Sequence, residues 1–259
     1  MIATDIDGTI MDYNFECSPA VKDCIRDLQK RGVKVVLATG RMHSAAVPVA
    51  RDLKLDTPLI SYQGGFIKTP EGELLYERTV ELQLARRIID WAKANDVHLN
   101  VYMHDSLFVE QANETTRRYT CERHIPYNVC DFDELDLKNV NKILAVDFED
   151  AARVTSWVDY LWEEFPELYV VKSTPYFCEI SNPEATKGHA VEFLRKHWGF
   201  KREEVLTIGD QDNDIELLKA GGIAVAMGNA TPELKKLAHF ITDPVYENGF
   251  VKAVEKFIA

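Results

Sequence analysis

The sequence predicts an α/β fold, a doubly wound parallel-sheet core interrupted by an inserted α+β unit, and three observations predict it. Both ends of the chain alternate short apolar runs with helical patterns, as strands and covering helices of a parallel sheet do. Roughly residues 81–181 instead pair alternating strands through tight turns, which implies antiparallel hairpins. Acidic residues stand where the apolar runs of the two ends stop, and open α/β sheets bind ligands beyond the carboxyl ends of their strands. The expected division is 1–80 with 182–259 as the core and 81–181 as the insert.

In chain order, Ile2-Ala3 leads into Asp5, with only four residues before it, so the first strand is short. Ser18 is the cap and Pro19 the first residue of a helix whose Val21, Ile25 and Leu28 share one face, and Gly32 suits its end. Residues 33–37 read as a buried strand ending at Ala38-Thr39-Gly40-Arg41, and Leu59-Ile60-Ser61 as a third strand. The insert reads helix, hairpin, helix, strand, helix, hairpin. Leu99, Val101 and Met103 alternate with polar residues, and Asp105-Ser106 turns the chain into Leu107-Phe108-Val109. Residues 168–172 and 176–180 flank Ser173-Thr174-Pro175; periodicity leaves 127–140 unassigned. A helix then runs from about Thr186 to His197, and the strand of residues 205–208 ends at Gly209-Asp210. A helix over 215–220 stops at Gly221-Gly222, residues 223–227 form a strand, Thr231-Pro232 opens a helix, and Phe240-Ile241-Thr242 closes the sheet.

Composition narrows the function. Thirty basic against 42 acidic side chains give a net charge of −12, unsuited to a nucleic-acid or anionic-membrane surface. A small anionic substrate remains open, because one metal ion and one or two basic residues reverse a local field. The five cysteines have no C-x-x-C spacing, so neither a zinc site nor a disulfide framework is expected. No apolar run approaches the about 20 residues of a membrane-spanning helix, and the N-terminus lacks signal-peptide features. The expectation is a cytoplasmic monomer or small homo-oligomer, with no nucleic-acid or membrane partner.

Asp5 and Asp7, at i and i+2 of an extended segment, face the same side, and Gly8 allows a sharp turn. Asp210 and Asp214, at i and i+4, share a helix face, while Asp212 is read as a cap. Carboxylates converging on one site repel each other, and a hard cation with oxygen ligands relieves them; Mg²⁺ keeps positions open for phosphate oxygens.

Asp5-Ile6-Asp7-Gly8-Thr9, Ala38-Thr39-Gly40-Arg41, Thr186-Lys187-Gly188 and Gly209-Asp210-Gln211-Asp212-Asn213-Asp214 resemble, in order and spacing, motifs one to four of the haloacid dehalogenase (HAD) superfamily. Over essentially the whole chain the sequence is similar to the Cof-type phosphatases with a type IIB cap, Ala224-Val225-Ala226-Met227-Gly228-Asn229-Ala230 and Glu247-Asn248-Gly249-Phe250 being further features. It departs from them at Gln63-Gly64-Gly65, where Asn-Gly-Ala is usual.

The resemblance implies a Rossmann-like core and a Mg²⁺-dependent phosphatase acting on phosphate monoesters of small metabolites (sugar, polyol or cofactor phosphates) through an aspartyl-phosphate. Asp5 is then the nucleophile and Asp7 the general acid and base. The metal is bound by Asp5, the Asp7 carbonyl and Asp210, with Asp214 steadying it through water. Thr39, Gly40 and Lys187 take phosphate oxygens, and Asn213 donates to phosphate or fixes its loop. Arg41 is read as pairing locally with an acid. The insert acts as a lid, and specificity is expected from Gln63, Tyr102, His104, Tyr176 and Glu179. The rivals are a sugar phosphomutase and a non-catalytic metabolite-binding protein. The second is disfavoured because Asp5, Asp7, Lys187 and Asp210 are all present.

Overall fold

The computed structural model describes residues 1–121 and 125–258. A five-stranded sheet carries the strands Phe240–Ile241, Ile223–Ala226, Leu206–Gly209, Ile2–Thr4 and Val35–Leu37 in that spatial order, all parallel. Ile2 is registered against Leu206 on one side and Val35 on the other. The chain winds outward from Ile2–Thr4 to Val35–Leu37, then returns to wind the opposite way, so the crevice of a doubly wound sheet opens beside Ile2–Thr4.

Alternate strand residues feed two apolar clusters, one on each face. Ile2, Val35 and Val225 pack with Ile25, Leu28 and Phe250. Ala3 and Val36 pack with Ala190, Val191, Leu194 and Leu217. Ser18 caps the helix Pro19–Lys30, its Oγ accepting from the Val21 N–H at 3.2 Å, and Gly32 leaves it at φ +76°. Leu59–Ser61 is a strand as expected, but its parallel contact with the main sheet is slight. It touches the main sheet through the single bridge Ala38–Ile60 and instead pairs antiparallel with Phe66–Lys68, which pairs with Leu74–Glu77. The cause is local: Tyr62, Gln63 and Gly64 all have positive φ and fold the chain straight back.

The second sheet has six strands in the order Tyr169–Thr174, Phe177–Ser181, Val140–Val146, His98–Met103, Ser106–Val109 and Tyr127–Val129. All pairs are antiparallel except the last. The first hairpin turns at His104-Asp105, one residue earlier than expected, with both at positive φ as a two-residue type I′ turn requires. The unassigned stretch supplies the edge strand Tyr127–Val129 and the first residue of Val140–Val146. Helices Leu82–Ala94 and Ala151–Glu164 cover one face through Ile88, Ile89, Trp157 and Leu161. The other face turns toward the five-stranded sheet. Tyr102, Leu144, Val146 and Phe177 form one apolar cluster with Met42, Tyr62 and Phe66. Polar contacts stitch the same seam: the Tyr62 hydroxyl (2.9 Å) and the Ser44 N–H (3.0 Å) donate to Asp105. No helix among the described residues is long and apolar enough to cross a membrane.

Candidate active site

Asp5 follows directly on Ile2–Thr4, and its N–H still donates to Ile208 O of the neighbouring strand at 3.0 Å. Asp210 follows that neighbour and Thr39 follows the strand on the other side, so three adjacent strands deliver these residues to one crevice. Gly8, at φ +82°, lets the chain turn under Asp210; a methyl group there would collide with the Asp210 carboxylate. Thr9 Oγ1 donates to Asp210 Oδ1 at 3.1 Å.

Carboxylate oxygens of Asp5, Asp210 and Asp214 lie within 4.8 Å of one another, and all three residues are buried. Lys187 begins the helix Lys187–His197, whose cap Thr186 accepts from the His189 N–H at 3.1 Å. Lys187 Nζ lies 2.6 Å from both Asp5 Oδ1 and Asp214 Oδ1. The other Asp214 oxygen accepts from the backbone N–H groups of Asp210 (2.9 Å) and Gln211 (3.1 Å). Asp214 thus pins the loop while holding the lysine. Asp210 Oδ2 accepts from Gln211 Nε2 and Asn229 Nδ2.

Asp7 stands apart from this trio. Arg41 grips it with two prongs, Nε to Oδ2 at 2.8 Å and Nη2 to Oδ1. Such a fork holds the carboxylate in one plane. Arg41 therefore does pair with an acid, and the acid is Asp7.

The charges do not balance. Among the described residues, Asp5, Asp7, Asp210 and Asp214 pair only with the cations Lys187 and Arg41, which leaves two negative charges in a buried place. Burial pushes Asp5 well up against the pull of Lys187, with Asp214 and Asp210 adding to the rise. Burial and the Asp214 charge push Asp210 up to about 7. Burial alone would depress the Lys187 ammonium, but Asp214 and Asp5 override it and hold it above its ordinary value. A surplus of two negative charges on hard oxygen donors fits a divalent cation.

Other expected residues are placed as follows. Thr39 is buried and its Oγ1 accepts from the Arg41 N–H at 3.1 Å. Asn213 Nδ2 donates to Gln63 Oε1 at 3.0 Å, so it orients that glutamine. Glu179 is buried and pairs with Lys142 at 3.0 Å. Tyr102 is buried too, but its hydroxyl is bonded to that of Tyr119 at 2.5 Å. His104 is exposed in its turn, and Tyr176 tilts against Phe148. Neither is brought to the carboxylates.

Lys142 escaped sequence reasoning. Its Nζ donates to Gly40 O at 2.7 Å, from a strand otherwise almost wholly apolar. A lone lysine in such a run was the available signal, since lysine is almost never fully buried without a partner.

Residues 2–254 match the family described as haloacid dehalogenase-like hydrolase, and the chain belongs to that family. It is 26% identical over 279 residues to phosphatase YwpJ of Bacillus subtilis, covering 96% of each chain. It superposes on a haloacid dehalogenase-like hydrolase from Bacteroides thetaiotaomicron with a TM-score of 0.87 at 28% identity, covering 99% of this chain and 98% of that one. A HAD subclass IIB sugar phosphatase shares the fold, with a TM-score of 0.87 at 23% identity over 99% and 98% of the two chains. The chain is thus a haloacid dehalogenase-like hydrolase, and it shares its fold with the subclass IIB sugar phosphatase.

Proposed function

We propose that the chain hydrolyses phosphate monoesters of small metabolites, as sugar, polyol or cofactor phosphates, with Mg²⁺ and through an aspartyl-phosphate on Asp5. The observation that carries this reading is the buried trio Asp5, Asp210 and Asp214, bridged by Lys187 at the crevice of the sheet. The Asp5 and Asp210 carboxylates and the Asp7 carbonyl would hold the ion, with Asp214 supporting them. When bound, Mg²⁺ sets positive charge against the phosphate oxygens and the nucleophile.

Asp5 attacks phosphorus and the bond to the leaving oxygen breaks, while Asp7 gives that oxygen a proton. Asp7 then takes a proton from water, whose oxygen attacks the acyl phosphate. Inorganic phosphate leaves and the Asp5 carboxylate is restored. Lys187, the Thr39 hydroxyl and the Gly40 N–H hold phosphate oxygens in both steps. To carry its proton Asp7 has to release at least one prong of the Arg41 contact, which engages both of its oxygens here. Residues 81–181 form the lid and supply specificity. A reducing, cytoplasmic setting suits Cys17, Cys24, Cys121, Cys130 and Cys178, all of them free thiols.

A panel of phosphorylated sugars, polyols and cofactors, read by free phosphate, tests the activity. Phosphate release from at least one member is expected, and an isomerised sugar phosphate without release would instead mean a mutase. Gly40→Ala probes the phosphate loop. The added methyl would collide with the Gln63 amide, 2.4 Å from Nε2 and 3.0 Å from its carbon. Displacing the loop by about 1 Å should cost roughly 10²-fold in kcat/KM. Wild-type kinetics in Gly40→Ala would contradict the tight packing of that loop.

A further inference from the structure

We infer that Tyr13 and Phe15 form a ring-binding subsite outside residues 81–181, which selects phosphate esters whose alcohol carries an aromatic or heteroaromatic ring; the inference rests on the phosphatase reading above and narrows its substrate class.

The side on which the alcohol leaves follows from the carboxylates. The side chains of Asp5 and Asp214 are 9% and 0% exposed, and Asp210 is fully buried. The Asp7 side chain is 43% exposed. Asp7 is the residue that gives the leaving oxygen its proton, so the alcohol lies on the open side of Asp7. Groups that border this opening meet the alcohol rather than the phosphate.

Two exposed rings border it. After Gly8 the chain runs into the tight loop of residues 12–16, closed by the Asp12 N–H donating to Glu16 O at 3.0 Å. Phe15 is 42% exposed, and the Arg41 guanidinium that grips Asp7 lies over its ring, 5.7 Å from the centroid. Tyr13 is 63% exposed, and its hydroxyl accepts at 3.3 Å from Asn229 Nδ2, the amide that also donates to Asp210 Oδ2. Each ring is thus tied to a partner of a catalytic carboxylate while much of its surface faces solvent.

The backbone is braced to present them. Phe15 has φ +63°, a left-handed conformation that is unfavourable for a bulky side chain and suits Gly or Asn. An exposed phenyl gains little from burial to offset that strain. Asp12 holds the turn in place: its Oδ1 accepts from the N–H groups of Asn14 (2.9 Å) and Glu16 (3.0 Å), and its carbonyl accepts from the Phe15 N–H at 3.1 Å. Strain persists only where the surroundings over-determine it, and it gathers at ligand clamps.

A flat ring is the ligand such a pair fits. Aromatic faces are negative and their edges positive, so stacked or edge-to-face rings gain beyond the area they bury. A saturated ring of the same size buries similar area without that gain.

Phenethyl phosphate and cyclohexylethyl phosphate share linkage and carbon count, and their leaving alcohols are of similar acidity. The wild-type protein should favour the former in kcat/KM by roughly 2- to 10-fold for each ring it stacks on. Phe15→Leu and Tyr13→Leu keep apolar bulk and should each bring that ratio toward one by slowing the aromatic ester more. Equal or reversed wild-type rates would overturn the inference. So would variants that keep the wild-type ratio; slowing of both esters alike would mark Phe15 as a prop for the Arg41–Asp7 clamp. If one variant fails to fold by circular dichroism, the other decides. If both fail, nuclear Overhauser contacts between phenethylphosphonate and the Tyr13 and Phe15 rings of the wild type decide, their presence upholding the subsite and their absence refuting it. If neither ester is hydrolysed, it is the phosphatase reading that fails. Calorimetric binding of phenethylphosphonate and its cyclohexyl counterpart then reads the subsite by itself: tighter binding of the aromatic one upholds it and equal binding refutes it.

Discussion

Asp5→Asn and Asp7→Asn are expected to behave alike on an alkyl phosphate and differently on an activated aryl phosphate. Asp5→Asn replaces the nucleophile with an amide of nearly the same shape, so no covalent intermediate forms on either substrate. Asp7→Asn keeps the nucleophile and the backbone carbonyl but loses the proton donor and the base, help worth ~10²–10⁴-fold. With a poor leaving group both variants should be inactive. An aryl phosphate departs without a proton, so Asp7→Asn should phosphorylate itself and then stall. Rapid acid quench and mass spectrometry should find the phosphoryl group on the peptide containing Asp5. Label in Asp5→Asn, or on a peptide lacking residue 5, would sink the assignment. Asp7→Asn also breaks one prong of the Arg41 fork, so a melting curve should accompany the assay.

Chelation is the second large effect. EDTA should abolish phosphate release and added Mg²⁺ restore it, because the buried site otherwise carries two uncompensated negative charges. A reading independent of turnover is available. Mg²⁺ at 100 times its dissociation constant should stabilise the folded protein by ~2.7 kcal/mol, and Asp210→Asn should forfeit most of that. The pH dependence follows from Asp210, pushed up to about 7 mainly by burial. A proton and the cation compete for this carboxylate, so Mg²⁺ affinity should fall as pH drops through 7 and level off above it. Full turnover in EDTA would refute the metal requirement, and a pH-independent affinity would refute the raised titration of Asp210.

The parts legible in the sequence were those set by short-range geometry. Ser18-Pro19 opening a helix follows from backbone preferences, whereas Asp210 and Asp214 converge without sharing a helix face, because Asp210 precedes the helix and Asp214 folds back to accept its N–H. The parallel core and the hairpin-rich insert were legible for the same reason. What eluded prediction depends on register between distant segments. The Lys142–Glu179 pair needs Val140–Val146 set beside Phe177–Ser181, and no local pattern fixes that alignment. Arg41 was expected to find an acid, but that the acid is Asp7, 34 positions away, emerges only in the fold. Tyr102 was expected to contribute to specificity, yet it is buried and its hydroxyl is taken by Tyr119 from the helix Glu114–Cys121. Leu59–Ser61 looked like its parallel neighbours because a short apolar run does not encode its partner.

The apolar seam of Met42, Tyr62 and Phe66 against Tyr102, Leu144, Val146 and Phe177 has a thermal consequence. If this seam parts to admit a substrate, these side chains become wet, and they dry again on closure. Burying such surface is driven almost wholly by entropy near 25 °C and carries a negative heat-capacity change. If residues 81–181 act as the proposed lid, its grip slackens on cooling, while the ionic contacts around Asp5 and Lys187 do not share that temperature dependence. A cold-exposed enzyme of this build would tend to idle open with its chemical centre still assembled.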